Sequence, residues 1–145
     1  MHMEMGLFKK IIDDSAENGY NSIDTCGFGD PLLDPLLRER FEYIKENYPH
    51  MSIYTSTTCA QLNEKTLPWI LDTVDTLKIS LFATSSQTYK KMHGAYEYEK
   101  VVENILRLLE AKEKHDNPYL IGLFLLSKDN EHEKDNWLDL WENKF

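Results

Sequence analysis

Ile23-Asp24-Thr25-Cys26-Gly27-Phe28-Gly29-Asp30-Pro31-Leu32-Leu33-Asp34-Pro35 runs from a strand through a glycine turn to a helix start. Residues 23–26 predict the end of a short strand. Gly27 and Gly29 predict backbone angles closed to other residues and leave room for a ligand beside the main chain. Pro31 stiffens the exit, and Asp34 before Pro35 predicts a capped helix start. In a parallel α/β sheet such a turn lies at the carboxyl edge of the strands, where these folds bind ligands.

Outward from this stretch, helical and extended patterns alternate. Leu7, Phe8, Ile11, Ile12 and Ala16 recur at helical spacing over residues 4–18, and Gly19 fits the stop. A short strand covers 21–26, and a helix over 35–47 sets Leu37, Phe41, Ile44 and Tyr48 on one face before Pro49. Residues 51–55 predict a strand centred on Ile53, and Asn63 predicts the cap of a helix over 64–71 that tolerates Pro68. A third strand covers 76–82, and Ser85 or Ser86 starts a helix over 87–92 that Gly94 stops. The longest helix covers 97–114, with Tyr98, Val101, Val102, Ile105, Leu108 and Leu109 as a core stripe. The apolar run 119–126 predicts a strand buried on both faces, and an amphipathic helix with Trp137, Leu138, Leu140, Trp141 and Phe145 begins near Glu131.

This order predicts an α/β fold: a parallel sheet of about four strands, with right-handed crossovers and helices on the outer face. The expected architecture is a TIM-barrel-like partial (β/α) barrel forming one domain over residues 1–145. An opening helix with no strand before it, and a final apolar pattern cut short, predict the central part of a larger barrel. Missing neighbours would leave open sheet edges, which favour self-association or a complementing subunit.

The chain has 145 residues, 41% hydrophobic and 28% charged, ordinary values for one packed domain. Sixteen basic against 25 acidic residues give a net charge of −9, which disfavours nucleic acid and anionic membranes as partners. No apolar stretch approaches the ~18 residues of a membrane span, and no basic segment precedes an apolar run near the amino terminus. A cytoplasmic location is expected. Cys26 and Cys59 lie far apart with no metal-ligand spacing, which predicts two reduced, buried thiols and no metal site; the alternative is a strained redox pair, with both cysteines near strand ends.

If the strands are parallel, four polar exits share one rim: Thr25-Cys26-Gly27, Thr55-Ser56-Thr57, Ser80 with Ala83-Thr84, and Ser127-Lys128-Asp129. Hydroxyls that donate and accept, beside glycines that expose backbone groups, suit a narrow polar ligand. Gly27-Phe28-Gly29 lacks the third glycine of a dinucleotide fingerprint, and Pro31 disrupts its phosphate geometry. Asp30 reads as a local hydrogen-bond acceptor or, in an unrelated barrel enzyme, as an acid or base alongside Asp129. His93 at a helix end predicts a structural cation facing the dipole. His50, His115 and His132 read as surface residues, and His2 sits in the first turn of the chain.

Several of these segments together resemble radical S-adenosylmethionine enzymes. Gly27-Phe28-Gly29-Asp30-Pro31-Leu32-Leu33 is similar to that family's Gly-Gly-Glu-Pro stretch, and Thr55-Ser56-Thr57 stands where many members carry Thr-Asn-Gly. Leu77-Lys78-Ile79-Ser80-Leu81-Phe82-Ala83-Thr84 resembles the strand usually written Ile-Ser-Leu-Asp-Gly. Gln87-Thr88-Tyr89-Lys90-Lys91-Met92-His93-Gly94 resembles Glu-Thr-Tyr-Glu-Lys-Ile-Arg-Gly, and Val101-Val102-Glu103-Asn104-Ile105 the helix after it. The opening residues 5–13 look like the helix after the cluster loop.

The resemblance implies binding of S-adenosylmethionine beside a four-iron–four-sulfur (4Fe-4S) cluster, with a 5′-deoxyadenosyl radical abstracting hydrogen from a substrate, with a peptide or protein as the leading guess. It implies a cofactor site at Gly27, Gly29, Asp30, Pro31, Thr55, Ser56 and Ser80, with Ser80 on the methionine or ribose and residues 29–31 at the amino group. The strand over 120–126 would lie near the adenine. Asp30 replaces the usual glutamate, Phe28 a glycine, and Phe82 the aspartate after Ser80. The three-cysteine cluster loop is absent, so the chain looks like an internal piece of such an enzyme, a fragmentary gene or a split subunit. Alternative readings are a degenerate barrel that binds without catalysis, and the unrelated barrel enzyme above.

Overall fold

The computed structural model describes residues 3–94 and 97–145; His2 lies outside the described residues. Helix α1 spans Met5–Glu17, followed by β1, Ser22–Asp24, and a 3₁₀ turn at Pro31–Leu33. Then come α2, Leu37–Asn47; β2, Ser52–Thr57; α3, Leu67–Thr73; and β3, Thr76–Ser80. Helices α4, Ser86–His93, and α5, Tyr98–Lys112, precede β4, Tyr119–Leu123; a 3₁₀ turn at Glu131–Glu133 leads into α6, Lys134–Trp141. The strands form one sheet in the order β1-β2-β3-β4, every pair parallel. Consecutive strands neighbouring one another, with helices between, is the winding of a (β/α) barrel rather than of a doubly wound sheet. The expected α/β partial barrel is the fold.

The sheet has two unlike faces because side chains alternate along a strand. Ile53, Thr55 and Thr57 of β2 and Leu77 and Ile79 of β3 are buried beneath the helices. They pack with Phe8 and Ile12 of α1, Phe41 and Ile44 of α2, Ile70 of α3 and Val101, Ile105 and Leu108 of α5. Phe41 is fully covered, with the Trp69 ring edge-on at 6.1 Å. Removing that side chain would cost about 3–5 kcal/mol. Asp24, Tyr54, Ser56, Lys78 and Ser80 point to the opposite, open face, where Lys78 Nζ meets Asp24 at 2.8 Å.

Several boundaries differ from expectation for local reasons. The second helix begins at Leu37, because Asp34 Oδ1 accepts from Leu36 N at 3.0 Å and Oδ2 pairs with buried Arg40 at 2.9 Å. Asn63 caps the turn at Lys65 and Thr66, and Pro68 opens α3. The run at 119–126 is not buried on both faces. β4 ends at Leu123 as an edge strand, and Tyr119, Leu125 and Leu126 are exposed. Only Leu120 of that strand is buried, while Phe145 and Trp137 lie so close over Gly122 that a Cβ there would sit 2.4 Å from the Phe145 ring. Of the two cysteines, Cys59 is buried but Cys26 is exposed.

Candidate functional site

The carboxyl ends of β1, β2 and β3 frame a cavity of about 330 Å³, lined by Gly29, Asp30, Leu33, Ser56, Thr57, Thr58 and Ser80. Its geometry starts in the loop after β1. Gly29 has a φ of 85°, which residues with a Cβ rarely adopt, and this turns the chain so that Asp30 faces β2. Asp30 accepts from Leu32 N at 3.0 Å, capping the Pro31–Leu33 turn. Its carboxylate also accepts from Thr57 Oγ1 at 2.9 Å and from Thr58 N and Oγ1 at 2.9 and 2.7 Å. These bonds hold the loop to the exit of β2. Ser56 and Ser80, on adjacent strands, put their hydroxyls 3.1 Å apart on the open face.

Gly29, Asp30, Ser56 and Ser80 are therefore brought together. The other three predicted residues are not. Thr55 alternates to the covered face, where Thr25 Oγ1 donates to it at 2.8 Å. Pro31 lines a separate apolar hollow with Phe8, Ile23 and Leu37 beside the free edge of β1. Gly27 does not line the cavity and lacks a positive φ, and Phe28 beside it is fully exposed. Asp30 spends its oxygens on backbone and hydroxyl donors, so it clamps the loop rather than acting as a free base. Asp129 is exposed, with its backbone N–H bonded to Ser127 Oγ at 3.2 Å.

The third and fourth exits depend on two residues that pattern reading missed. Asn130, fully buried, donates from Nδ2 to Phe82 O and Leu125 O, both at 2.9 Å, and accepts from Ser127 N. Glu133 accepts from Thr84 N, Ser85 Oγ and Thr88 Oγ1 at the amino end of α4, which Ser85 caps as expected. Burial opposes its charge, but these hydrogen bonds prevail and hold its carboxyl below the ordinary value. The Ser85-Ser86 helix start was the only local signal, and nothing in the sequence near it shows that residues 84 and 133 meet. His93 is not a cation: it lies between Phe82 and Tyr89, at 4.9 and 4.4 Å between ring centres, and burial lowers its pKa.

Just past the end of β1, Cys26 N donates to Asp24 at 2.9 Å. Although the residue is exposed overall, partial desolvation of its sulfur first, then Asp24, pushes the Cys26 thiol up to about 11, so it stays protonated at neutral pH. A larger cavity, about 750 Å³, lies between the end of α5 and the start of β4. It sits away from the strand exits among Glu110, Lys112 and Glu113 of a solvated helix end, and has no convergent hydroxyls.

The chain matches the radical SAM superfamily over residues 2–140. It belongs to the radical SAM superfamily. Among solved structures it is similar to a domain of pyruvate-formate lyase-activating enzyme from Bacteroides vulgatus, with a TM-score of 0.58 at 17% identity. That likeness covers 87% of this chain and 95% of the other, and it supports the fold. No curated protein matches the chain. Radical SAM enzymes generally use S-adenosylmethionine and a 4Fe-4S cluster in radical chemistry. The residues present do not fit the cluster: no group of three or more His, Cys, Asp or Glu side chains able to hold a metal occurs among the described residues. Of the two thiols, Cys59 is buried and Cys26 is exposed, and neither belongs to a group of metal-ligating side chains among the described residues. The cavity does fit a polar nucleoside-type ligand, since it offers two adjacent hydroxyls and an acidic loop. No helix among the described residues is long and apolar enough to cross a membrane.

Proposed function

We propose that this radical SAM chain binds S-adenosylmethionine in the cavity between the ends of β1, β2 and β3. The observation that carries the reading is the convergence of Gly29, Asp30, Ser56 and Ser80, drawn from three strand exits, on one opening. Ser56 and Ser80 donate to and accept from the methionine or ribose part. The acidic loop at Gly29 and Asp30 favours the ligand's ammonium group by charge. Bound beside a reduced cluster, S-adenosylmethionine supplies radical chemistry in this superfamily; the protein's own share is binding and orientation. A peptide or protein is the proposed substrate class, and the name of the similar activating enzyme supports it.

Calorimetric titration of S-adenosylmethionine into wild type and Ser80→Ala tests the site. Loss of one hydroxyl contact is expected to weaken binding about threefold to tenfold, with a stability cost of about 0.5–1.5 kcal/mol for the lost bond to Ser56. Equal affinity in both proteins removes Ser80 from the site. The second reading, a barrel that binds without catalysis, is favoured by the lack of a metal-ligand group among the described residues. Anaerobic reconstitution with iron and sulfide separates the two, because a 4Fe-4S spectrum from this chain alone contradicts the second.

A further inference from the structure

Asn104 lies in the middle of α5 with 1% of its surface exposed. Its Nδ2 donates to the backbone carbonyl of Cys59 at 2.9 Å, and its Oδ1 has no hydrogen-bond partner among the described residues. A buried amide is unfavourable unless its groups are bonded. Here the desolvation of a whole side chain is offset by one bond, so the place where that bond ends matters.

It ends on a residue in a rare conformation. Cys59 has a φ of 63°, and it is the only non-glycine with positive φ among the described residues. Left-handed backbone is disfavoured for a residue with a Cβ and persists where surrounding contacts over-determine it. The Cys59 N–H donates to Thr57 Oγ1 at 2.9 Å, and its carbonyl accepts from Leu62 N at 3.1 Å. Both contacts are local to the turn. Asn104 reaches the turn from a different element. Thr57 and Thr58, immediately before Cys59, are the residues that hold Asp30 and line the cavity.

We infer that Asn104 is a positioning residue for the candidate site, acting through Cys59. By fixing the turn after β2 in its left-handed form, it sets the height at which Thr57 and Thr58 grip Asp30, and so the shape of the cavity. The inference rests on reading that cavity as an S-adenosylmethionine site. Leucine at 104 keeps the volume and removes the donor. Glycine at 59 takes the same φ without a Cβ penalty, so the turn then depends less on Asn104.

The experiment is a double-mutant cycle of Asn104→Leu and Cys59→Gly, with Asn104→Ser in the same cycle should the leucine variant fail to fold. S-adenosylmethionine affinity in Asn104→Leu is expected to fall about fivefold to tenfold, the scale of one net hydrogen bond. The double variant is expected to bind within about twofold of Cys59→Gly alone. Strictly additive losses overturn the inference. Amide exchange without ligand gives an independent reading: Asn104→Leu is expected to speed exchange at Thr58 and Cys59 about tenfold beyond any change at the amides of β3. Equal acceleration at both places assigns Asn104 to general stability only and also overturns it. Absence of binding in wild type defeats the function proposed for the cavity, while the exchange pattern still decides the role of Asn104.

Discussion

The two halves of the rim use one device and end differently. At β1 and β2, Asp30 leaves the loop after one strand and clamps Thr57 and Thr58 at the exit of the next. At β3 and β4, Glu133 comes from the segment after β4 and clamps Thr84, Ser85 and Thr88 beyond β3. In both, a carboxylate ties together parallel strands that share no tight turn, so their ends are held in fixed relation. Asp30 remains half-buried, and its clamp frames an opening into which Ser56 and Ser80 face. Glu133 is covered by its bonds to the start of α4, and farther along that helix the His93 ring stacks against those of Phe82 and Tyr89. A hydrogen-bonded carboxylate at a strand exit therefore does not mark a site. Unfilled space beside Asp30, with hydroxyls on the open face, is what nominates the first clamp as the candidate site.

The sharpest way to break this contrast is to remove each clamp. Asp30→Ala leaves Leu32 N, Thr57 Oγ1, Thr58 N and Thr58 Oγ1 without their acceptor. A loss of about 2–4 kcal/mol in urea unfolding is expected, together with loss of S-adenosylmethionine binding. Glu133→Gln is expected to cost less, about 1–3 kcal/mol, and to leave binding within about twofold. Matching effects of the two variants on binding would erase the distinction between frame and wall.

Glu133 also carries a pH signature. Burial alone would raise its pKa, yet the bonds from Ser85, Thr84 and Thr88 bring it below the ordinary 4.5. A lowered folded value means the stabilisation is complete above the unfolded value and is lost as pH falls through the folded one. Urea midpoints between about pH 3 and 6 are expected to drop more steeply in wild type than in Glu133→Gln. Parallel curves would show that its hydrogen bonds do not favour the ionised form.

The order of elements was legible because hydrophobic spacing and punctuation are local: the α5 stripe, the Ser85 cap and the Gly94 stop all stand where the pattern puts them. Four of the residues that line the candidate cavity, Gly29, Asp30, Ser56 and Ser80, could be picked out for the same reason. The errors come from phase and from distance. Ending the second strand at residue 55 made Thr55 and Ser56 look like neighbours in one loop; the strand continues to Thr57, and alternation sends them to opposite faces. Gly27 and Gly29 look equivalent in sequence, yet only Gly29 takes the left-handed turn. Asn130 and Glu133 bond to residues 45 or more positions away, in addition to Asn130's local bonds, and no window of sequence contains both partners. His93 read as a helix-end cation because the rings that enclose it come from Phe82 on another element as well as from Tyr89.

That histidine supplies the smallest and most specific test. Phe82 and His93 both depart from the pattern the chain resembles, which carries aspartate and arginine there, and they stack on each other at 4.9 Å. The Phe82 N–H donates to His93 Nε2 at 3.4 Å, so the folded ring is neutral with its proton on the other nitrogen. Burial lowers the folded pKa below 6.5. The unfolded chain then takes up a proton first as pH falls, so the contribution of His93 is full above about pH 6.5 and declines below it. Because the ring is partly exposed, solvent screening keeps the change under about 1 kcal/mol. His93→Phe preserves the stack and removes the titration. Its unfolding midpoint is expected to vary less than wild type's between about pH 7.5 and 5.5, after a small constant loss for the missing acceptor. A wild type that gains stability relative to the variant as pH falls over that interval would mean that the stack holds an imidazolium, a cation against aromatic faces.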